Sequence, residues 1–185
     1  MIKVVFLGPP GAGKGTQAKI ISQKYNIPLI VLGDILREAV KNQTELGKIA
    51  QKYMDKGELV PDEIVCKIIK EALIKVNAKE KGFILDGFPR TLEQAKALEK
   101  MLKELDLSLD KVLFLDVPDE ELIKRMLARG REDDTVDIIK NRLKVYYEKT
   151  TPVINYYEEK GILEKVDGLG DVDKVTLRIE KALGL

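Results

Sequence analysis

KVVFLGPPGAGKGT, residues 3–16, joins an apolar run to a glycine-rich turn and then to a lysine that opens an amphipathic segment. Val4, Val5, Phe6 and Leu7 read as a buried strand, and Gly8, Gly11, Gly13 and Gly15 follow it. Such a turn can bring backbone N–H groups together around a polyanion, and the helix behind it adds the positive end of its dipole. Lys14 supplies a mobile full charge, as the GxxxxGK pattern requires for a phosphate chain. The strict pattern continues with Ser or Thr, whereas Gly15 stands here and the hydroxyl arrives at Thr16. A hydroxyl displaced by one helical position need not ligate Mg2+ itself, so the metal is expected to be gripped mainly through water. A glycine-rich turn without a ligand is the bland alternative, and it leaves the order of strand, glycines, lysine and helix unexplained.

A chain of 185 residues, 44% apolar and 34% charged, is long enough for one well-cored domain with room for small inserted lobes. The formal net charge of +1 gives no broad field for nucleic acid or an anionic membrane, so the partner is expected to be a small molecule met by locally placed Arg and Lys. No apolar run approaches the ~18 to 20 residues of a membrane helix, and the N-terminus goes straight into a strand, which reads as cytoplasmic. Cys66 is the only cysteine and histidine is absent, which excludes an internal disulfide and a zinc site of the usual Cys/His kind. Cys66 falls on the apolar face of a helix and is assigned to packing, and the commonest general base is missing altogether. High charge with few Asn, Gln, Met and Cys residues suits a heat-adapted protein, for which a melting midpoint above ~65 °C is expected.

Outward from the opening stretch, a helix continues through Tyr25 and a short strand runs from Pro28 to Leu32, closed by Gly33 and Asp34. Two short helices, separated near Asn42 to Thr44, lead to the turn 57–61 (GELVP) and a longer helix from Asp62 to about Val76. Strands are expected at Phe83–Leu85, Val112–Val117 and Ile162–Val166. The helices between them begin at a Thr91/Gln94 capping box, at Pro118, and near Val136, the last broken near Pro152, and a final helix starts at Asp171. Strands separated by helices imply an open parallel α/β sheet covered on both faces. Ligands of such sheets sit at the carboxyl ends of the strands, so residues 8–16, 33–37, 86–90 and the region after Val166 should meet at one crevice.

Three further stretches carry chemistry. In 86–90 (DGFPR), Asp86 ends a buried strand where it can reach Mg2+ or its waters, and a turn presents Arg90 to an anion. In 33–37 (GDILR), Arg37 follows one helical turn behind Gly33; a helix cap with an exposed arginine is the bland reading. Around the polar segment 130–135, Arg125, Arg129, Arg131 and Arg142 could bracket several phosphates with bidentate forks, against the alternative of a solvated helix face.

GPPGAGKGT, GDILR, DGFPR with Gln94, and RGREDD with Arg142 together resemble the adenylate kinase family of nucleoside monophosphate kinases, over nearly the whole chain. The resemblance implies a single domain over 1–185, with a monophosphate-binding lobe at about 33–61 within a helical insertion to about 76, a short lid at 130–135, and the remainder as the phosphate-loop core. It implies that Gly11, Ala12, Gly13, Lys14, Gly15 and Thr16 hold the ATP phosphates, with Arg125, Arg129 and Leu169 also on the donor. On the acceptor it implies Leu32, Gly33, Arg37, Glu58, Leu59, Val60, Gly87, Arg90, Gln94, Arg131 and Arg142. Lys14, Arg90, Arg125, Arg129, Arg131 and Arg142 would carry the chemistry, Asp86 would orient Mg2+ through water, and Asp133 and Asp134 would anchor the lid. Mg2+ without zinc is the implied cofactor, and a monomer the family habit, with a homo-oligomer left open. A monophosphate oxygen is already anionic near neutral pH, so the missing histidine costs nothing: alignment and charge stabilisation suffice.

Two departures stand out. AMP-selective members carry a Ser-Thr pair where this chain has Val31 and Leu32, which implies relaxed acceptor selectivity, because an apolar wall discriminates weakly. Only Gly130 separates Arg129 from Arg131, a lid shorter than the family's short form, so donor selectivity is also expected to be loose. A UMP/CMP-type pyrimidine monophosphate kinase shares this core. A nucleotide-gated binding module is the reading of another class, against which stand the absent NKxD sequence and the surplus of arginines.

Overall fold

Residues 3–7 and 83–86 lie side by side at the centre of a five-stranded parallel sheet. The computed structural model describes residues 1–56, 58–131 and 134–185, and the sheet and helices below are those of the described residues. The strands are β1 (Lys3–Leu7), β2 (Leu29–Val31), β3 (Phe83–Asp86), β4 (Lys111–Asp116) and β5 (Leu163–Asp167), in the spatial order β2-β3-β1-β4-β5. The helices are α1 (Lys14–Tyr25), α2 (Leu32–Lys41), α3 (Glu45–Met54), α4 (Asp62–Lys75), α5 (Ala78–Lys81), α6 (Leu92–Glu104), α7 (Asp119–Arg129), α8 (Val136–Glu159) and α9 (Val172–Leu183). No helix among the described residues is long and apolar enough to cross a membrane.

The sheet is covered on both faces because its inner strands are apolar along their middles, with charged residues only at their ends. Alternation sends Val4 and Phe6 of β1 to one side, against Ile21 of α1, Met126 of α7 and Ile179 of α9. Val5 and Leu7 go to the other side, with Ile69 of α4, Leu98 of α6 and Val153 of α8. The connection from β1 runs toward the β2 edge and that from its neighbour β3 toward the β4–β5 edge, so the carboxyl ends of β1 and β3 form a switch point with a crevice beside it.

Four features differ from the sequence reading. β2 stops at Val31, which pairs with Asp86, the last residue of β3; with no strand left to pair, Leu32 starts α2 and Gly33 is helical rather than a closing turn. Helix α8 is unbroken through Pro152. Buried Thr150, Val153 and Tyr157 on either side of the proline lie in the core, and their packing outweighs the local cost of ~3 kcal/mol for an interior proline. Helix α5, only 4 residues long, was too short to show a period. Strands β4 and β5 are displaced by one residue from the expected ranges.

Helices α2 and α3 pack closely where Gly47 meets Ala39: a Cβ at position 47 would fall 2.0 Å from the Ala39 carbonyl oxygen. Thr44 caps α3 by accepting the Gly47 N–H at 3.0 Å. Cys66 is partly buried against the core, and burial pushes its thiol up, with Asp62 adding to the shift.

Candidate active site

After β1 the chain turns through Gly11 and Gly13, at φ 83° and 88°, conformations open to glycine at little cost. Gly13 is the N-cap of α1, so Lys14 is its first helical residue and the free N–H groups of the helix face the loop. Lys14 Nζ lies 3.4 Å from Asp86 Oδ1. Thr16 is exposed, and Ala12 is buried with its carbonyl accepting from Arg125.

Asp86 is buried at 5% exposure at the end of β3, and among the described residues its Oδ1 has no hydrogen-bond partner. A Cβ at Gly15 would stand 3.7 Å from Asp86 Oδ2. An acceptor without a donor, beside a phosphate loop and facing a residue with no side chain, fits the water shell of a hard, reluctantly dehydrated cation. Asp86 could thus hold Mg2+ through water, with Lys14 beside it.

Arg90 is held by its backbone. Its N–H donates to Gln94 Oε1 at 2.7 Å, its carbonyl accepts from the Thr150 hydroxyl at 3.0 Å, and its Nε donates to the Gly87 carbonyl at 3.0 Å. Surrounding protein lowers its pKa, Asp86 opposes that shift and Arg37 adds to it, yet the residue keeps an exposed face and its charge. Gly87 joins the 33–37 and 86–90 stretches: a Cβ there would lie 3.6 Å from Leu32 Cβ and 3.9 Å from the Gly33 nitrogen. Gly33 in turn lies under the Arg37 guanidinium, which pairs with Asp34 at 2.5 Å in an exposed position. Thr91 caps α6 through the Gln94 N–H, but the return bond goes to Arg90 rather than to Thr91, so the capping box is displaced by one residue.

A cleft of about 730 Å³, within the range of ligand sites, opens between these parts. Gly8 and Lys14, Glu58 and Leu59, and Gly87 and Arg90 lie on its walls, as does Arg142 on α8. Leu32, Gly33, Arg37 and Gln94 lie beside the cleft rather than on its wall, and Val60 is buried behind Leu59.

The arginines near the polar segment differ among themselves. Arg125 donates to Glu121, to the Ala12 carbonyl at 3.3 Å and to the Gly168 carbonyl at 2.9 Å, tying α7 to the loop and to the turn after β5. Leu169, 38% exposed, follows in that turn. Arg129 forms a fork with Asp134 at 2.7 and 2.9 Å, and Arg142 reaches the same carboxylate at 3.1 Å. The Asp134 side chain is fully covered, and these arginines, Arg129 foremost, hold its carboxyl at about 2. Arg131 is exposed and gives only its backbone N–H to Asp134. The expectation for Asp133 lies outside the described residues.

The face of α8 was missed by sequence reading. Tyr146 and Thr150 follow Arg142 at steps of four and line the same cleft, a helical spacing legible once Arg142 is placed there. The Tyr146 hydroxyl is buried without a hydrogen-bond partner among the described residues, and burial pushes its pKa up, so it stays protonated.

A phosphate loop on a switch-point sheet, with a buried acid and opposed arginines across one cleft, defines a nucleotide-binding enzyme of the phosphate-loop α/β class. The sequence model of the family described as "Adenylate kinase" matches residues 6–162. The chain is 56% identical to the "Adenylate kinase" of Leptospira biflexa serovar Patoc, over 99% of this chain and all of the relative. It is 49% identical to that of Nocardia farcinica over 99% of each, and 48% identical to that of Archaeoglobus fulgidus over 98% of each. The chain belongs to the adenylate kinase family. It is a nucleoside monophosphate kinase, a phosphotransferase, and the pyrimidine-kinase and binding-module alternatives are not favoured.

Proposed function

We propose that the protein transfers the γ-phosphoryl group of ATP to AMP, reversibly, making two ADP, as a cytoplasmic enzyme acting on free nucleotides. The observation that carries this reading is the cleft itself, with Lys14, paired with buried Asp86, on one side and Arg90 and Arg142 on the others.

The backbone of residues 11–16 and Lys14 would hold the donor phosphates, with Arg125 and Leu169 beside the donor base. Arg125 spends three N–H groups on the protein, which leaves the face of its guanidinium for stacking. Arg37 and Arg90 would take the acceptor phosphate, while Glu58–Val60 and Gln94 would meet its base. Segment 33–61 would then act as the acceptor lobe and 130–135 as the lid. Mg2+, when bound, would neutralise charge on the donor phosphates, and Asp86 would hold it through water without zinc taking part. Arg129, Arg131 and Arg142 would cover the transferring group, where stabilisation of spreading charge matters more than proton transfer.

The base sites should be loose, because apolar Leu32, buried beside the cleft, offers an acceptor base no hydrogen bond and the lid is short. The test is phosphoryl transfer measured with Mg-ATP and each of AMP, CMP, GMP and UMP. ADP formed from both AMP and ATP, with AMP preferred by less than about a thousandfold overall, supports the reading. ATP hydrolysis without transfer would overturn the kinase assignment, and a larger preference over every other base would overturn the looseness.

A further inference from the structure

A glutamine amide has two hydrogen-bond positions on oxygen and two on nitrogen. In Gln94 the fold uses one of each: Oε1 accepts from the Arg90 main-chain N–H at 2.7 Å, and Nε2 donates to Asp62 Oδ1 at 2.8 Å. These partners cannot exchange roles, since a main-chain N–H only donates and an ionised carboxylate only accepts. Turning the amide over would set donor against donor and acceptor against acceptor. Gln94 is 3% exposed, so water would not relieve the mismatch. Its orientation is therefore locked from two sides, by β3's following turn and by the first turn of α4.

We propose that Asp62, acting through Gln94, is a positioning residue that makes the acceptor site favour bases with an exocyclic amino group over bases with a carbonyl there. This rests on the reading that Gln94 faces the acceptor base. The remaining slots on a locked Gln94 are one lone pair on oxygen and one N–H on nitrogen, in a set order. Adenine offers an amino donor at N6 and an acceptor at N1, and cytosine repeats that order at N4 and N3. Guanine and uracil present the reverse order, a carbonyl beside a ring N–H. A free glutamine could flip to meet either, whereas a locked one meets only the first. Leu32 loosens the fit to base size, and the lock keeps the fit to base polarity, so looseness should extend from AMP to CMP much more than to GMP or UMP.

The test compares kcat/KM for AMP, CMP, GMP and UMP, with Mg-ATP fixed, in the wild-type protein, Asp62→Asn, Asp62→Glu and Gln94→Ala, with Tm taken for each. An asparagine can offer either atom to Gln94, so Asp62→Asn should narrow the AMP:GMP and CMP:UMP ratios by about tenfold or more. Asp62→Glu keeps an obligate acceptor and should keep the ratios within a few-fold, while Gln94→Ala should flatten them. Loss of folding alone would lower all four acceptors by one common factor. That outcome, or unchanged ratios in Asp62→Asn where Gln94→Ala does flatten them, overturns the lock and leaves the base reading intact. Ratios untouched by Gln94→Ala overturn the base reading, and the lock falls with it.

Discussion

Arg90 and the arginines beside the lid segment are the same residue type serving the same cleft, yet they are held in opposite ways. Arg90 is pinned by its main chain, through Gln94 and Thr150, and by one Nε–H given to the Gly87 carbonyl, which leaves its terminal guanidinium nitrogens for the cleft. Arg129 and Arg142 are gripped by their charged ends, which converge on the fully covered carboxylate of Asp134. A presented guanidinium can meet an anion as soon as it arrives. One gripped by a buried carboxylate must exchange one anion for another, and the exchange is favourable only when phosphates bring comparable charge. The wall at Arg90, the proposed acceptor side, is preorganised, whereas the proposed lid side at Asp134 would have to reorganise around an arriving anion.

The contrast can be broken by mutation. Arg90→Ala should have the largest effect, lowering kcat/KM for the acceptor by roughly 10³. Tm should hardly move, since alanine keeps the main-chain bonds to Gln94 and Thr150; a large fall in Tm would mean that the charged end is structural. Next, Arg131→Ala and Arg142→Ala should each lower kcat by about 10² to 10³. The exposed Arg131 should do so with no change in Tm, and Arg142→Ala should also lower Tm by loosening Asp134. Unchanged turnover in either variant removes that residue from the reaction.

Asp134→Asn sharpens the same comparison through pH. The Asp134 carboxyl is held at about 2, below its ordinary 3.8, chiefly by hydrogen bonds from Arg129. A depressed carboxylate stabilises the fold above its unfolded pKa and loses that contribution as pH falls through the folded one. The Tm gap between wild type and Asp134→Asn should therefore be constant above pH ~5 and close between about 4 and 2. A gap independent of pH would show that the charge of Asp134 is not what holds the arginines. The smallest effect belongs to Pro152→Ala. Restoring an interior helix bond at this exposed position should raise stability by about 1 kcal/mol in denaturant unfolding, part of the ~3 kcal/mol helix penalty being already relaxed in place.

Much of the fold was legible because its signals are local. Buried parallel strands read as unbroken apolar runs, and the loop at 8–16 carries its own geometry in its glycines. Where the reading failed, distant packing had overridden a local rule: α8 runs through Pro152 because Val153 and Tyr157 have a core to fill, and β2 ends at Val31 because β3 offers no further partner.

The site divides along the same line. The sequence by itself determined that a glycine-rich phosphate-loop pattern ends in Lys14, that Asp86 and Arg90 share its sheet edge, and that no histidine is available for proton transfer. Those facts follow from residue type and from neighbours within a few positions. The tertiary structure decided how each group is held: Arg90 by its backbone, Arg142 by Asp134, and Gln94 between Arg90 and Asp62, 32 residues away. Hydrogen-bond partners are chosen by which elements meet in space, and no local pattern of residues records that choice.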